Sequence, residues 1–419
     1  MKVLILGDLA PTGFGTVTMD LGKSLLERGL DCRFLSFNEV GELPEPFGSR
    51  TEQLGTSDGW LRFSEVPEEA AVTTERLMGM FTGTAFPDGW TPDRGLVIGD
   101  MGSLKVSPLL GIVPDGYPLF NYCPIEGHDL PPAWAIAWAK AKPVAMSEFG
   151  AEQIAGVVGY KPPVIYHGVD TETFRVATPD RPIVVGHQIL KSKAQCKAFF
   201  GYDPARTMLL RTDRLVPRKG YSALLRSLAP VLGRHRDVDV VLHCRIRDEG
   251  GDLRDDISKY VPEIAERMIP TDLRKGEPFW GGLPEYKPWP REVLVALYNA
   301  ADLYVSNSSE GFGLTIAEAL ACGVPAVGLD YSAVPEVIGS CGTIVPAGQL
   351  VDNIYSHFWA MADEVAFTEA VEFLVTHKHR REQLGMLAPM HIRARFQWAK
   401  AAEQFETVFT GAQADEATA

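Results

Sequence analysis

Val3-Leu4-Ile5-Leu6, a loop holding Thr12-Gly13-Phe14-Gly15, then Val17, Leu21 and Leu25, then Gly29 and Arg33–Phe37: this opening stretch decides the fold. Four consecutive apolar residues ahead of a glycine loop read as a buried strand. The three apolar residues at helical spacing read as one face of a helix, and Gly29 falls where a helix stops. Arg33–Phe37 is then the second strand, which makes one β-loop-α-β unit. The same grammar recurs with strands expected at Gly95–Ile98, Leu119–Tyr122, Pro143–Met146 and Pro163–Tyr166. The stretch Gly41–Gly59, rich in Gly, Pro, Glu and Ser, reads as an irregular loop, and Pro179-Asp180-Arg181-Pro182 as part of a linker.

A second series follows the linker. Strands are expected at Met208–Leu210, Val238–Leu242, Leu303–Val305 and Pro325–Gly328. Helices are expected at Tyr221–Leu232, at Arg291–Ala300 and from about Leu314. The chain is then expected to close with helices. In the last of them Trp398, Ala401, Ala402, Phe405, Val408 and Phe409 form a stripe of period 3.6, and Gly411–Ala419 reads as a frayed tail. Alternating strands and helices predict an α/β protein with mainly parallel sheets. Two similar halves predict two doubly wound domains facing each other across a cleft, with ligands at the carboxyl ends of the strands.

Length and charge narrow the function. A chain of 419 residues exceeds one ordinary core, so two domains are expected. With 46% hydrophobic and 22% charged residues it is neither disordered nor a disulfide scaffold. The formal charge is −14; residues 1–170 carry 12 basic and 22 acidic side chains, a balance of −10, and residues 171–419 carry 28 and 32, a balance of −4. An acidic surface disfavours broad nucleic-acid or membrane-surface binding. The six cysteines, Cys32, Cys123, Cys196, Cys244, Cys322 and Cys341, show no Cys-x-x-Cys pair and no zinc spacing, so they read as buried thiols of a reducing, cytoplasmic protein. The first apolar run is four residues, too short for a signal peptide, and no stretch reaches membrane length.

The chemistry concentrates in Ser308-Ser309-Glu310-Gly311-Phe312-Gly313-Leu314-Thr315-Ile316-Ala317-Glu318-Ala319-Leu320-Ala321-Cys322-Gly323-Val324-Pro325. Glu310 leaves a strand. Gly311 and Gly313 let backbone approach a ligand. Leu314 and Thr315 open a helix whose free N–H groups suit a phosphate. Ile316, Ala319, Leu320 and Gly323 mark the buried side of that helix, and Glu318 lies off it, one turn beyond Leu314. A carboxylate at each end of an anion site suits hydroxyl groups flanking phosphates, the pattern of a nucleotide sugar. The plainer alternative is a surface carboxylate plus a helix-capping one. A second string, Arg214-Leu215-Val216-Pro217-Arg218-Lys219-Gly220, follows a strand of the second half. Arg214 and Lys219 could neutralise a diphosphate without a metal. Arg211 is a spare, and Arg218 is expected to point to water; a solvated basic loop is the alternative.

These two strings resemble the donor-site motifs of glycosyltransferase family 4. His167-Gly168-Val169-Asp170 with Phe174 resembles the family's interdomain segment, where Asn is commoner at the position of His167. Ala145-Met146-Ser147-Glu148-Phe149-Gly150 and Tyr298-Asn299-Ala300-Ala301-Asp302 are similar to two further family segments. The resemblance spans about residues 1–400; it is strongest over 205–340 and weak over 40–115.

The resemblance implies the GT-B architecture: an acceptor-binding Rossmann-like domain at 1–175, a donor domain at 176–388, and a C-terminal helix in 389–419 packing back toward the first domain. It implies retention of configuration, no catalytic metal and no cofactor beyond a nucleoside-diphosphate sugar as co-substrate. Glu310 would hold sugar hydroxyls. Phe312, Gly313, Leu314 and Thr315 would line the sugar and phosphates. Glu318 would take the ribose, and Arg214 and Lys219 the diphosphate. Gly13 and Gly15 match a glycine loop facing the phosphates, with Thr12 where a second Gly is frequent. The route would be oxocarbenium-like and front-face, with the leaving phosphate taking the acceptor proton and no general base assigned.

Tyr122-Cys123-Pro124-Ile125-Glu126-Gly127-His128-Asp129 follows a strand of the first half. His128 is the candidate to meet the sugar, with Glu126 and Asp129 as alternatives and an ordinary polar loop as the other reading. Asp237-x-Asp239 fits the letters of a metal motif from another glycosyltransferase fold but starts an apolar strand, so it reads as strand-edge solvation. Gly250-Gly251-Asp252 reads as a turn and His377-Lys378-His379-Arg380-Arg381 as a solvated helix end. The competing functions are a non-catalytic nucleotide-sugar-binding module and another GT-B enzyme, such as an epimerase or a phosphorylase. The acceptor stays open: small molecule, glycan, protein or modified nucleobase.

Overall fold

Strand β1 (Lys2–Gly7) buries every residue after Lys2, as a strand covered on both faces must. It pairs in parallel with β2 (Asp31–Ser36) on one side and β4 (Arg94–Ile98) on the other. With β3 (Thr51–Gln53), β5 (Leu119–Cys123) and β6 (Ala141–Ala145) it forms a parallel sheet ordered β3-β2-β1-β4-β5-β6. This is the doubly wound order, in which the winding reverses beside the first strand. The structure, a computed structural model, describes residues 1–36, 41–53, 75, 77–86, 88–101, 111–270, 289–352 and 357–411.

Helix α1 (Gly13–Glu27) starts on an N-cap. Gly15 N donates to Thr12 Oγ1 at 3.0 Å, and Thr12 Oγ1 donates to Asp8 Oδ2 at 2.6 Å. A Cβ on Gly15 would sit 1.7 Å from the Ala10 carbonyl oxygen, so the loop closes over this helix start only with glycine there. Thr12, where a second glycine is frequent in family 4, thus supplies the cap. Helices α2 (Trp134–Lys140) and α3 (Glu148–Val158) follow; Ser147 caps α3 by accepting from Gly150 N, and left-handed Gly159 ends it.

The second series begins with a hairpin of β7 (Ile183–Val185) and β8 (Gln188–Leu190), then α4 (Lys193–Phe199). The second sheet contains β9 (Thr207–Thr212), β10 (Val238–His243), β13 (Met268–Pro270), β14 (Leu303–Ser306), β15 (Ala326–Leu329) and β16 (Gly342–Val345). All pair in parallel, in the order β13-β10-β9-β14-β15-β16, the same winding as the first sheet. Its helices are α5 (Tyr221–Arg234), α6 (Leu253–Tyr260), α7 (Arg291–Ala300), α8 (Leu314–Ala321), α9 (Val334–Ile338), α10 (Glu364–Thr376) and α11 (Lys378–Arg395). Two hairpins are added: β11 (Arg247–Asp248) with β12 (Gly251–Asp252), and β17 (Ala347–Asp352) with β18 (Phe358–Ala362). Leu209, Leu210, Val240, Val241, Val305 and Val327 are fully buried in this sheet's core.

The described residues form two compact units, 1–168 with 357 and 396–411, and 169–352 with 358–395. Apart from its return to the first unit at His357, the chain changes unit at Gly168/Val169 and Arg395/Phe396, where sequence led to divisions at 175/176 and 388/389. Phe174 packs on Tyr298, and Ala177 N donates to Asn299 Oδ1 at 2.7 Å, which ties these residues to the second unit. The last helix, α12 (Trp398–Thr410), belongs to the first. Its Phe405 lies edge-on to Tyr122 at 5.0 Å and its Phe409 packs on Phe120 at 5.4 Å. Both phenylalanines are buried, worth about 1.5–3 kcal/mol each. Arg94 donates to the Phe409 carbonyl, and Arg28 pairs with Glu406.

Several expectations change. Within Gly41–Gly59 the structure has a short 3-10 turn, Gly48–Arg50, and strand β3, because residues 51–53 find the free edge of β2; residues 54–59 lie outside the described residues, as does Phe37. Pro163–Tyr166 makes a single bridge, Val164 to Ala145, rather than a strand. After β15 the chain adds β16, β17 and β18 before its closing helices. Arg381 is buried, not solvated: it donates to the carbonyls of Leu374 and Val375, the last turn of α10. Asp239 pairs with Arg206 at the start of β10, and of the expected Gly250-Gly251-Asp252 turn only Gly250 turns, with Glu249, while Gly251 and Asp252 form strand β12 opposite Asp248 and Arg247. The expected frayed tail beyond Gly411 lies outside the described residues. The six cysteines are free and buried, and among the described residues no helix is long and apolar enough to cross a membrane.

Candidate active site

In the second unit the winding reverses between β9 and β14, and the loops leaving these neighbours, 213–220 and 307–313, meet at their carboxyl ends. Asn307 Nδ2 donates to the Gly220 carbonyl at 3.0 Å and ties the two loops together. The β17–β18 hairpin braces them. Ser308 bridges to Met361, Ser309 N donates to the Ala360 carbonyl at 3.2 Å, and Ala362 N donates to the Asn307 carbonyl at 2.9 Å. The stretch just before Glu310 is therefore paired like a strand. Glu310 N donates to Ser332 Oγ at 2.9 Å.

A chain of alternating charges runs through this junction. Arg211 is fully buried; it donates to the Val305 carbonyl at 3.2 Å and to Ser308 Oγ at 2.9 Å. Its Nε lies 2.8 Å from Asp213 Oδ2, but the N–H does not point along that line, so this contact is an ion pair without a hydrogen bond. Asp213 Oδ1 lies 2.6 Å from Lys219 Nζ, and the same ammonium donates to Glu310 Oε1. Arg218 Nη1 lies 3.5 Å from Glu310 Oε2 and donates to the Ser309 carbonyl at 3.3 Å. Burial pushes the Asp213 carboxyl up, but Arg211 and then Lys219 outweigh it and hold the group below the usual carboxylate range. Three cations and two carboxylates leave this chain one positive charge in excess.

Helix α8 leaves the same loop. Gly313 precedes it as N-cap at φ +100, a conformation open to glycine and strained for other residues, and makes no side-chain cap to the first N–H groups. Leu314 and Thr315 in its first turn are half-buried, while Phe312 is buried. Glu318 is buried too, and Tyr298 OH donates to its Oε2 at 2.8 Å. Tyr298 OH is also 2.9 Å from Thr212 Oγ1, and Tyr304 OH reaches Thr315 Oγ1 at 2.9 Å. Burial, and then the Glu318 charge, push the Tyr298 hydroxyl well above its ordinary value, so it stays a donor. The end of β9, α7 and α8 are joined through Thr212, Tyr298 and Glu318.

The structure brings Lys219, Glu310, Phe312, Gly313, Leu314, Thr315 and Glu318 into one unit around this junction. Arg214 does not join the cluster. Its guanidinium is held by Asp248 at 3.1 Å and Glu249 at 2.8 Å on the β11–β12 hairpin, and it is more than half exposed. Arg218, expected in water, stands beside Glu310 instead. Gly13, Gly15 and His128 lie in the first unit at the carboxyl ends of β1 and β5; His128 Nδ1 is 2.8 Å from Asp129 Oδ2, and Asp129 has φ +60. Glu126 is half-buried in that same loop. Sequence reasoning missed Asp213, Tyr298, Tyr304 and Ser332 as members of the site. For Asp213 the available signal was an acid directly beside Arg214 where a strand ends. Among the described residues no group of three His, Cys, Asp or Glu is placed to hold a metal ion.

Residues 206–364, which carry this whole junction, match the family described as "Glycosyl transferases group 1". The chain is 22% identical over 249 residues to the "GDP-mannose-dependent monoacylated alpha-(1-6)-phosphatidylinositol monomannoside mannosyltransferase" of Corynebacterium glutamicum, covering 58% of this chain and 54% of that protein. It is 28% identical over 301 residues to "D-inositol 3-phosphate glycosyltransferase 1" of Catenulispora acidiphila, covering 69% and 63%. The matches thus span between half and two thirds of these relatives. Among solved structures, Anabaena Alr3699/HepE in complex with UDP and glucose superposes with a TM-score of 0.65 at 16% identity, over 98% of this chain and 100% of that one. The fold is GT-B: two Rossmann-like α/β units in one chain.

Proposed function

We propose that this protein is a retaining glycosyltransferase of family 4, which moves a sugar from a nucleoside-diphosphate sugar to an acceptor hydroxyl and needs neither a metal ion nor a resident cofactor. The observation that carries this reading is the Lys219 ammonium fixed at the switch point between β9 and β14, with Glu310 beside it and Glu318 on the helix that follows. The match of 206–364 to group 1 glycosyl transferases and the UDP and glucose named for Alr3699/HepE support a nucleotide-sugar donor.

In this scheme the bond between the anomeric carbon and the β-phosphate oxygen breaks, and the acceptor oxygen bonds to that carbon on the same face. The acceptor proton passes to the leaving phosphate. Lys219 and Arg218 stabilise the charge that develops on the diphosphate, with Arg214 joining them if it leaves Asp248 and Glu249. Glu310 orients the sugar hydroxyls and stabilises positive charge at the anomeric carbon. Glu318, anchored through one oxygen by Tyr298, takes the ribose.

The test is turnover of UDP-, GDP-, ADP- and TDP-sugars with mass spectrometry of products, run with two variants. Glu310→Gln lowers turnover and leaves affinity for the free nucleoside diphosphate nearly intact, because that ligand has no sugar. Glu318→Gln weakens the free nucleotide as well, by about 1–3 kcal/mol, the range for a lost hydrogen bond to a charged group. The reverse pattern refutes this orientation of the donor, and no turnover of any donor refutes the activity.

A further inference from the structure

An ammonium group has three hydrogens to give. In Lys219 two of them face carboxylates, Asp213 Oδ1 at 2.6 Å and Glu310 Oε1. Glu310 has a part in the proposed reaction. Asp213 has none, although its ionised side chain is only 7% exposed, a burial that is costly to keep unless its geometry is used. It is fixed from behind by Arg211, itself fully buried and anchored on the Val305 carbonyl and Ser308 Oγ. These anchors belong to β14 and to the loop that presents Glu310, so Asp213 is set by the same backbone as the paired-glutamate stretch. Arg211 also balances the Asp213 charge, so holding Lys219 in this way does not cancel its attraction for phosphate.

We infer that Asp213 is a positioning residue, which holds the Lys219 ammonium so that its third N–H is presented to the donor diphosphate. The inference rests on Lys219 being a phosphate ligand, as proposed above. It has a consequence opposite to simple electrostatics. Removing a negative charge next to a diphosphate site should tighten binding if charge alone mattered. Loss of positioning loosens it.

Calorimetry on the full chain with UDP and GDP, and NMR titration with uridine and guanosine, separates these. Asp213→Asn is expected to weaken the nucleoside diphosphate about tenfold, the size of one misdirected charge-assisted hydrogen bond, and to leave the nucleoside unchanged. In a Lys219→Ala background the same substitution is expected to add no further loss, because it acts through that lysine. If Asp213→Asn does not fold because Arg211 is stranded, Arg211→Gln with Asp213→Asn removes both charges and carries the same expectation. Unchanged or tighter diphosphate binding, in a protein whose Lys219→Ala variant binds more weakly, overturns the inference and leaves the proposed function standing. A wild-type protein that binds neither of these nucleotides, nor ADP or TDP in the same calorimetry, overturns both.

Discussion

Lowering the pH from 7.5 to 5 will destabilise the first unit through His167. The imidazole is buried, with Nδ1 2.7 Å from Tyr122 OH and the Trp398 ring 5.7 Å away, and Tyr122 OH donates to the Ile165 carbonyl at 2.7 Å. Burial lowers its pKa from 6.5 to about 3. Folded, it stays neutral; unfolded, it takes a proton below 6.5. Its contribution is therefore complete above pH 6.5 and is lost as the pH falls from there toward 3. The slope is about 1.4 kcal/mol per pH unit, which makes about 2 kcal/mol at pH 5. For a unit of this size the melting temperature drops by roughly 4–8 °C. Carboxylates titrate in the same range, so the assay is a difference: urea and thermal unfolding of wild type and His167→Asn at pH 7.5, 6 and 5. The variant starts less stable, and the gap narrows by the same ~2 kcal/mol on going to pH 5. A gap that stays constant refutes the argument. His243, lowered to about 4 by burial, does the same in the second unit and serves as its internal comparison.

Lys219→Met strands the buried carboxylates of Asp213 and Glu310 and is expected to cost about 3–5 kcal/mol of second-unit stability at neutral pH; urea unfolding checks this, and a loss below ~1 kcal/mol contradicts the charge chain. Gly15→Ala puts a methyl group 1.7 Å from the Ala10 carbonyl oxygen and is expected to destabilise the first unit by roughly 1–3 kcal/mol in calorimetry. Nucleotide-sugar turnover is expected to survive EDTA, since Lys219 and Arg218 supply the positive charge; activity lost in EDTA and restored by Mg²⁺ or Mn²⁺ removes the metal-independent part of the proposal.

Much of the fold was legible because parallel strands buried on both faces leave near-continuous apolar runs, and β1, β5, β10 and β14 all did so. Strand β3 was hidden inside a polar stretch because three half-buried residues at an edge carry no periodicity. The β17–β18 hairpin was missed for a related reason: its outer strand is mostly exposed, and its purpose is to pair with residues some fifty positions earlier. Within the site, Glu310, Glu318 and Lys219 were legible from their motifs. The partners that hold them were not. Tyr298-Asn299-Ala300-Ala301-Asp302 stood out as a string, yet its three polar side chains serve different places: Tyr298 holds Glu318, Asn299 holds the backbone of 175 and 177, and Asp302 takes Lys193, Lys197 and the Met208 N–H. Spacing alone favours Arg214 over Arg218, and spacing does not reveal Asp248 and Glu249 some thirty residues further on.

The placement of α12 fixes an order of assembly during synthesis. A ribosome makes the residues of the second unit, through Arg395, while the first still lacks the helix that covers Tyr122 and Phe120. The unit made first is thus the last to be closed. Until Phe405 and Phe409 emerge, its β5 presents aromatic surface to the cellular milieu, the kind of exposure that recruits chaperones or seeds aggregation. A ribosome stalled near residue 395 would hold a finished second unit and an unfinished first one, so quality control of this chain hinges on α12.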